Sequence, residues 1–147
     1  MPKIDPAQHP VLSRTTYLPA YQAAVGGRSW VAIGAAGGLS QFGANLVTLA
    51  PGAWSSQRHW HSAEDEMVVM LSGELLLVED DGETLLRPGD IATFAAGVPD
   101  GHHLQNRSAA PATFLAIGTD RPDDDECHYP DIDQYWSLAT GFTPKPA

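Results

Sequence analysis

Residues 51–73, PGAWSSQRHWHSAEDEMVVMLSG, place two histidines and a carboxylate close together. Alternate residues of a β-strand share one face, so His59 and His61 are expected to point the same way, about 6 to 7 Å apart along the strand. Glu66 follows after a short connection and opens the apolar run 67–71, which would return it beside the two histidines. Two imidazoles and a carboxylate in this arrangement are typical of a metal site. We therefore predict that His59, His61 and Glu66 bind one metal ion.

A second stretch, residues 89–106, reads GDIATFAAGVPDGHHLQN. Together the two stretches resemble the cupin superfamily, which has a Gly, His-x-His, Glu, Gly motif followed by a Gly-Asp turn, a Pro-x-Gly and a His before an Asn. The first motif is matched by Gly52, His59, His61, Glu66 and Gly73. The second is matched by Gly89, Asp90, Gly97, His102 and Asn106. Both motifs together are a specific signal, whereas a His-x-His pair alone is a weak one.

The resemblance leaves two candidates for a fourth metal ligand. Counting forward from Gly97 reaches Asp100, and counting back from Asn106 reaches His102. Both positions have the same strand parity, and the Gly-His pair before Asn106 favours His102. His103 falls on the other face, where we expect it to pack outside or donate to a carbonyl.

The first motif has a similar ambiguity at its carboxylate. The family spacing leaves Asp65 as a lesser alternative to Glu66, but the gap to Gly73 fits Glu66. Two departures from the family pattern are an extra residue between Gly52 and the histidine pair, and Ala95 where the family usually has proline.

The distribution of 14 glycines and 12 prolines between short apolar runs is typical of an all-β fold. With the resemblance, it predicts a single cupin barrel, a double-stranded β-helix or jelly roll, over residues 26–120. An N-terminal arm, 1–25, would precede it, and an irregular acidic and aromatic tail, 121–147, would pack on it. The predicted strands are 30–33, 41–49, 67–71, 74–79, 83–86, 91–94, 102–106 and 113–117.

Size and charge restrict the class of protein. The chain has 147 residues, enough for one domain, and its 8 basic and 18 acidic residues give a net charge of −10. This charge disfavours nucleic acid as a partner, and no apolar run is long enough for a membrane span. The single cysteine, Cys127, cannot form an internal disulfide, so we expect a cytoplasmic protein. Cys127 and His128 would point apart in an extended segment, so we expect no second metal site there.

Three imidazoles and one carboxylate suit one divalent transition metal: Zn, Mn, Fe, Ni or Co. Such a metal can polarise a carbonyl or activate oxygen, and cupins include both chemistries. We expect a metal-dependent isomerase or lyase acting on a small oxygen-rich molecule such as a sugar or hydroxy acid. Glu66 would be essential for turnover, and Tyr129 or Glu64 would move a proton. The alternatives are a non-haem iron dioxygenase and a non-catalytic cupin that binds a small ligand.

The charge of the substrate depends on the basic residues near the metal. Small single-domain cupins are often described as sugar-phosphate isomerases, and a phosphate requires a nearby cation. Arg58 and Arg107 are each out of phase with the histidines and should face outward. The sequence therefore favours a neutral or weakly charged substrate.

The resemblance also bears on oligomeric state. Cupin barrels often pair through an N-terminal strand, and the segment 17–33 could exchange in this way. We therefore expect a homodimer.

Overall fold

The structure of the protein is a computed structural model and describes residues 2–147. These residues form twelve β-strands, one four-residue α-helix and three short 3-10 turns before the first strand. The elements are β1 (Arg28–Val31), α1 (Ile33–Ala36), β2 (Phe42–Leu49), β3 (Trp60–His61), β4 (Glu66–Ser72), β5 (Leu75–Glu79), β6 (Gly82–Leu86), β7 (Ile91–Phe94), β8 (His103–Gln105), β9 (Ala112–Thr119), β10 (Glu126–His128), β11 (Tyr135–Ser137) and β12 (Gly141–Thr143).

The strands form three antiparallel sheets. The largest has five strands in the order β1-β2-β9-β4-β7, the second has the order β12-β11-β10-β3, and the third has the order β6-β5-β8. The predicted all-β class is therefore confirmed. No helix within residues 2–147 is long and apolar enough to cross a membrane.

All eight predicted strands are confirmed to within two residues at each end. The first is displaced by two residues at both ends, because β1 covers 28–31 and Ile33 already begins α1. The sequence around this helix is rich in alanine, which has the strongest helix propensity. Gly34 lies against Ala44 of β2, where an added Cβ would be only 3.0 Å from the Ala44 backbone nitrogen.

The main hydrophobic core lies between the five-stranded and three-stranded sheets. Every second residue of the strands contributes to it, as the strand period requires. Its fully buried side chains include Leu49 from β2, Met70 from β4 and Leu75 from β5. This packing fixes β4, whose first residue is Glu66.

A second apolar cluster joins the two ends of the chain. Tyr17 and Val25 of the N-terminal arm are buried against Cys127 and Tyr129, and Phe142 packs on the same cluster. The Tyr17 and Phe142 rings meet edge to face with centroids 5.0 Å apart. Arm and tail thus pack together beside β3.

The prediction of an irregular tail is wrong. The tail contains β10, β11 and β12, and β10 pairs with β3 in a register that places Cys127 opposite His61. The acidic run before β10 indicated a solvated loop, but hydrogen bonding to β3 orders the chain directly after it. The boundaries proposed for arm, barrel and tail stay a prediction.

Candidate metal centre

The four side chains predicted to bind metal lie together. A backbone bridge between His59 and His102 brings those two residues face to face, with N–O distances of 3.2 and 2.9 Å. Glu66 Oε2 lies 2.6 Å from His102 Nε2 and 3.7 Å from His59 Nε2. Its other oxygen, Oε1, lies 3.3 Å from His61 Nε2. Three imidazole Nε2 atoms therefore converge on one carboxylate.

Hydrogen bonds to the opposite ring nitrogens orient two of these histidines. His59 Nδ1 is 2.9 Å from the Gln57 carbonyl oxygen and 3.2 Å from Ser56 Oγ. His61 Nδ1 is 2.6 Å from Asp125 Oδ2. When Nδ1 carries the donated proton, the lone pair of Nε2 is free to bind a cation. The donor set fits a divalent transition metal.

Asp125 is a buried acid at the candidate site that the sequence did not reveal. Its side chain is 1% exposed, and its second oxygen accepts a hydrogen bond from the Ala63 backbone N–H at 3.0 Å. It belongs to an acidic run of the kind that is usually solvated. It is placed at the site by its position two residues before Cys127, which pairs with His61 in the structure.

The charges of the site balance one another. Burial alone would raise the pKa of Glu66, but hydrogen bonds from His102, His59 and His61 hold it well below its usual range. Burial alone would lower the pKa of His61, but Glu66 and Asp125 outweigh it and raise that pKa to about 9. Burial lowers the pKa of His102. The Glu66 carboxylate is therefore ionised at neutral pH and attracts a cation.

The alternative ligands lie elsewhere. Asp100 Oδ1 accepts a hydrogen bond at 2.9 Å from a backbone N–H in the β5–β6 turn, and Asp65 Oδ1 accepts one at 2.8 Å from the loop after β7. His103 does not pack outside, because its side chain is buried; its Nδ1 lies 2.8 Å from the Ser56 carbonyl oxygen, which is the other of the two expected arrangements.

Tyr129 lies beside the histidines but its hydroxyl has another partner. Its ring centroid is 5.9 Å from that of His59, and its hydroxyl accepts a hydrogen bond from Cys127 Sγ at 3.4 Å. Burial raises the pKa values of both Tyr129 and Cys127 well above their usual ranges.

The thiol of Cys127 lies close to two of the candidate metal ligands, His59 and His61. Its Sγ and one nitrogen each of His59 and His61 all lie within 4.8 Å of one another. His128 stacks instead on Trp60, with ring centroids 4.3 Å apart. Cys127 and His128 thus point apart as expected, but cross-strand pairing brings the thiol to His61, which the sequence did not reveal.

Glu64 is a third acid at the site, after Glu66 and Asp125. Its Oε2 lies 3.9 Å from His61 Nδ1, and its Oε1 accepts a hydrogen bond from the Arg121 backbone N–H at 2.9 Å. Burial raises its pKa above the usual range.

Two adjoining cavities open beside the histidines. One, of about 550 Å³, is lined by Glu66 and His102, and the other, of about 430 Å³, by His61 and Glu64. They share four lining residues: Arg28, Trp30, Ser56 and His59.

The expectation that no basic side chain lies near the histidines is wrong, because Arg28 lines both cavities. Arg58 and Arg107, which the sequence placed outward, pair with acids outside both cavities: Arg58 with Asp131 and Asp80, Arg107 with Glu83. Arg28 comes from β1, some thirty residues before His59, and no local spacing connects the two.

Comparison with known proteins identifies the family. The Cupin_2 cupin-domain family matches residues 45–118, half of the chain. Among solved structures, a sugar phosphate isomerase of the cupin superfamily from Silicibacter pomeroyi is 46% identical, with 97% of this chain and 90% of that chain covered and a TM-score of 0.90. A protein from Acidithiobacillus ferrooxidans, provisionally named a sugar phosphate isomerase, is 28% identical over 80% of this chain and 76% of its own, with a TM-score of 0.71.

A more distant likeness extends to the fold alone. The polyketide cyclase RemF from Streptomyces resistomycificus is 16% identical, with 83% of this chain and 82% of that chain covered and a TM-score of 0.67. No curated protein matches the sequence. The family match and the 46% identical structure confirm what the two motifs indicated: the chain belongs to the cupin superfamily.

Proposed function

We propose that this cupin is a metal-dependent isomerase acting on a small hydroxycarbonyl molecule such as a sugar. The observation that carries the proposal is the convergence of three imidazole Nε2 atoms on the Glu66 carboxylate at the wall of a cavity of about 550 Å³. Two relatives that bear the name sugar phosphate isomerase favour isomerisation over lyase or dioxygenase chemistry.

His59, His61, Glu66 and His102 would hold one divalent transition metal, and Zn, Mn, Fe, Ni and Co all suit this donor set. When bound, such a metal polarises a substrate carbonyl as a Lewis acid. The protein contributes the orientation of the ligands: Gln57 and Asp125 fix the His59 and His61 rings through Nδ1. It also contributes a largely apolar cavity in which a substrate can be held.

Isomerisation requires a group that carries a proton between two neighbouring carbons. A base removes the proton from the hydroxyl-bearing carbon next to the carbonyl, and the electron pair moves onto the carbonyl oxygen. The neighbouring hydroxyl then gives its proton to that oxygen and becomes the new carbonyl, while the base returns its proton to the former carbonyl carbon. Glu64 suits this role, because burial brings its pKa toward the working pH of a general base. Tyr129, whose pKa lies far above its usual range and whose hydroxyl contacts Cys127, is better suited to supporting His59.

The metal is tested by elemental analysis of protein purified without chelator or added metal. We expect about one equivalent of a transition metal in the wild type and its loss in His59→Ala. His128→Ala is the matched control, because His128 stacks on Trp60 outside the site and its loss should leave the metal in place. Equal metal content in all three proteins, or none after titration with metal, would overturn the proposal.

The reaction is tested by NMR in D₂O with a panel of aldoses and ketoses. We expect exchange of the proton next to the carbonyl and formation of the isomer. Glu64→Gln should keep the metal and lose exchange, whereas Glu66→Gln should lose both. Oxygen consumption that depends on Fe(II) would identify a dioxygenase instead, and saturable binding without exchange or product would identify a binding protein.

A further inference from the structure

Arg28 is held in a fixed position by neutral groups. Its Nη1 donates to the Ser55 carbonyl oxygen at 2.8 Å, and its Nη2 lies 3.3 Å from the Arg14 carbonyl oxygen. Its guanidinium carbon lies 5.2 Å from the centre of the Trp30 ring. Cation–π contact and two carbonyls restrict the side chain without neutralising its charge.

The guanidinium retains unused donors. Arginine has five N–H groups, and the two carbonyls account for two of them. The Nε atom is buried and has no hydrogen-bond partner among residues 2–147. A buried donor without a partner is destabilising. The two remaining N–H groups, one on each Nη atom, are the donors that a ligand acceptor can use.

The distribution of ion pairs sets two arginines apart. Six arginines occur in the sequence, and within residues 2–147 four of them pair with a carboxylate. The two with no such pair, Arg14 and Arg28, both line the cavity of about 430 Å³ that also contains His59 and His61. In a chain with a net charge of −10, two cations without a carboxylate partner in one cavity are available to attract an anion.

We propose that Arg28, assisted by Arg14, binds an anionic group of the substrate, a phosphate ester or a carboxylate, while the histidine site engages its carbonyl end. This deepens the proposed function and rests on it for the identity of the rest of the substrate. Guanidinium groups bind such oxyanions through paired N–H donors. Thr15 and Thr16 line the same cavity and offer further hydroxyl donors.

The acids of the same cavity are directed toward His61. Asp125 accepts hydrogen bonds from His61 and Ala63, and Glu64 accepts one from the Arg121 backbone. Arg28 is linked instead to His59. Arg28 donates a hydrogen bond to the Ser55 carbonyl oxygen, and the hydroxyl of the next residue, Ser56, lies 3.2 Å from His59 Nδ1. An anion at Arg28 is therefore placed beside His59, while both carboxylates are engaged by hydrogen bonds to other partners.

The test is an NMR chemical-shift titration of metal-free protein with inorganic phosphate and, separately, with acetate. We expect the wild type to bind one of them with shifts centred on Arg28 and Arg14, and Arg28→Gln to weaken that binding about tenfold or more. Arg14→Gln should weaken it less. Arg107→Gln is the matched control, because Arg107 pairs with Glu83 outside the cavity. The anion that binds distinguishes a phosphate site from a carboxylate site.

Several results would overturn the proposal: no binding of either anion to the wild type, equal binding by Arg28→Gln, or equal weakening by Arg107→Gln. If Arg28→Gln does not fold, Arg28→Lys and Arg14→Gln provide the comparison, and unchanged binding in both would count against the site. Metal content measured in the same variants separates the two proposals. If Arg28→Gln loses anion binding but keeps its metal, the result supports the anion-binding role of Arg28. If no protein contains metal but the wild type still binds the anion, the result refutes the proposed function and leaves the Arg28 proposal standing.

Discussion

His61 uses both ring nitrogens, Nε2 toward Glu66 and Nδ1 toward the buried Asp125 carboxylate. Carboxylates in this position orient a metal-binding imidazole and increase its basicity. We predict that Asp125→Asn weakens metal binding roughly 10- to 100-fold in a competition titration against a chelating dye. Asp124→Asn, which removes an exposed carboxylate paired with Arg121 in the same acidic run, is the control. Equal affinities in the two variants would show that Asp125 has no role in orienting His61.

The same residue makes the metal-free protein sensitive to pH. The pKa of His61 is raised from 6.5 to about 9 in the folded protein, so its stabilising effect is complete below the unfolded value and is lost as pH rises through the folded value. A shift of this size corresponds to at most about 3 kcal/mol in the free energy of unfolding. We predict that urea denaturation of metal-free protein shows falling stability between pH 6.5 and 9. His61→Gln should abolish that decline, and a decline that persists in the variant would contradict this origin.

Contacts across long sequence separations explain which residues the sequence could reveal. His59, His61 and Glu66 were predictable because strand alternation and one short connection bring them together. Asp125 contacts His61 although the two are 64 positions apart in the sequence. The acidic segment around Asp125 has the composition of a solvated loop. Arg28 lies on β1 of the five-stranded sheet, whereas His61 lies on β3 of the four-stranded sheet. Neither contact leaves a local pattern, so only the fold reveals them.

At the scale of elements, the same reasoning explains the tail. Most strands of the core come from short apolar runs bounded by glycine, proline or acidic turn residues, a pattern that predicts them correctly. β10, β11 and β12 have three residues each and are too short to display a period. These strands are held in place by the pairing of β10 with β3. They are also held by the apolar cluster around Tyr17 and Phe142, to which the opposite end of the chain contributes.

The turn between β4 and β5 depends on Gly73. Its φ is +72°, and an added Cβ would lie 2.8 Å from both Ala112 Cα and the Pro111 carbonyl oxygen. Gly52 has a similar φ of +85° but open space around the Cβ position. We predict that Gly52→Ala lowers the free energy of unfolding by about 1 kcal/mol, the cost of the left-handed backbone. Gly73→Ala should cost about 3 kcal/mol or more, because the clash with backbone atoms adds to it. Equal losses in thermal or urea denaturation would show that the β9 backbone yields to the added methyl.

At the scale of the whole molecule, the site lies where three parts of the chain meet. The barrel supplies the ligands and Arg28, the tail supplies Asp125 and Cys127, and the N-terminal arm supplies Arg14. Removing the arm or the tail would therefore alter the cavity as well as the apolar cluster that closes it. The two ends of the chain belong to the site.

The homodimer stays a prediction, and the edge of the large sheet gives it a physical basis. β1 is an edge strand of the five-stranded sheet, and Leu12 of the arm already pairs with Trp30 through two backbone hydrogen bonds of 2.8 Å. Association at this edge is therefore expected to rest on exposed apolar side chains rather than on free backbone groups. Val11, Leu39 and Phe42, close to this edge in the sequence, are 67%, 49% and 42% exposed. We predict that light scattering gives about twice the chain mass of 15.7 kDa. Phe42→Lys combined with Val11→Lys should yield monomers, because a buried lysine without a partner opposes association. Leu138→Lys, at an exposed position of the tail, should leave the dimer intact. A monodisperse monomer in the wild type would refute the prediction, and a dimer that persists in the double variant would move the interface away from this edge.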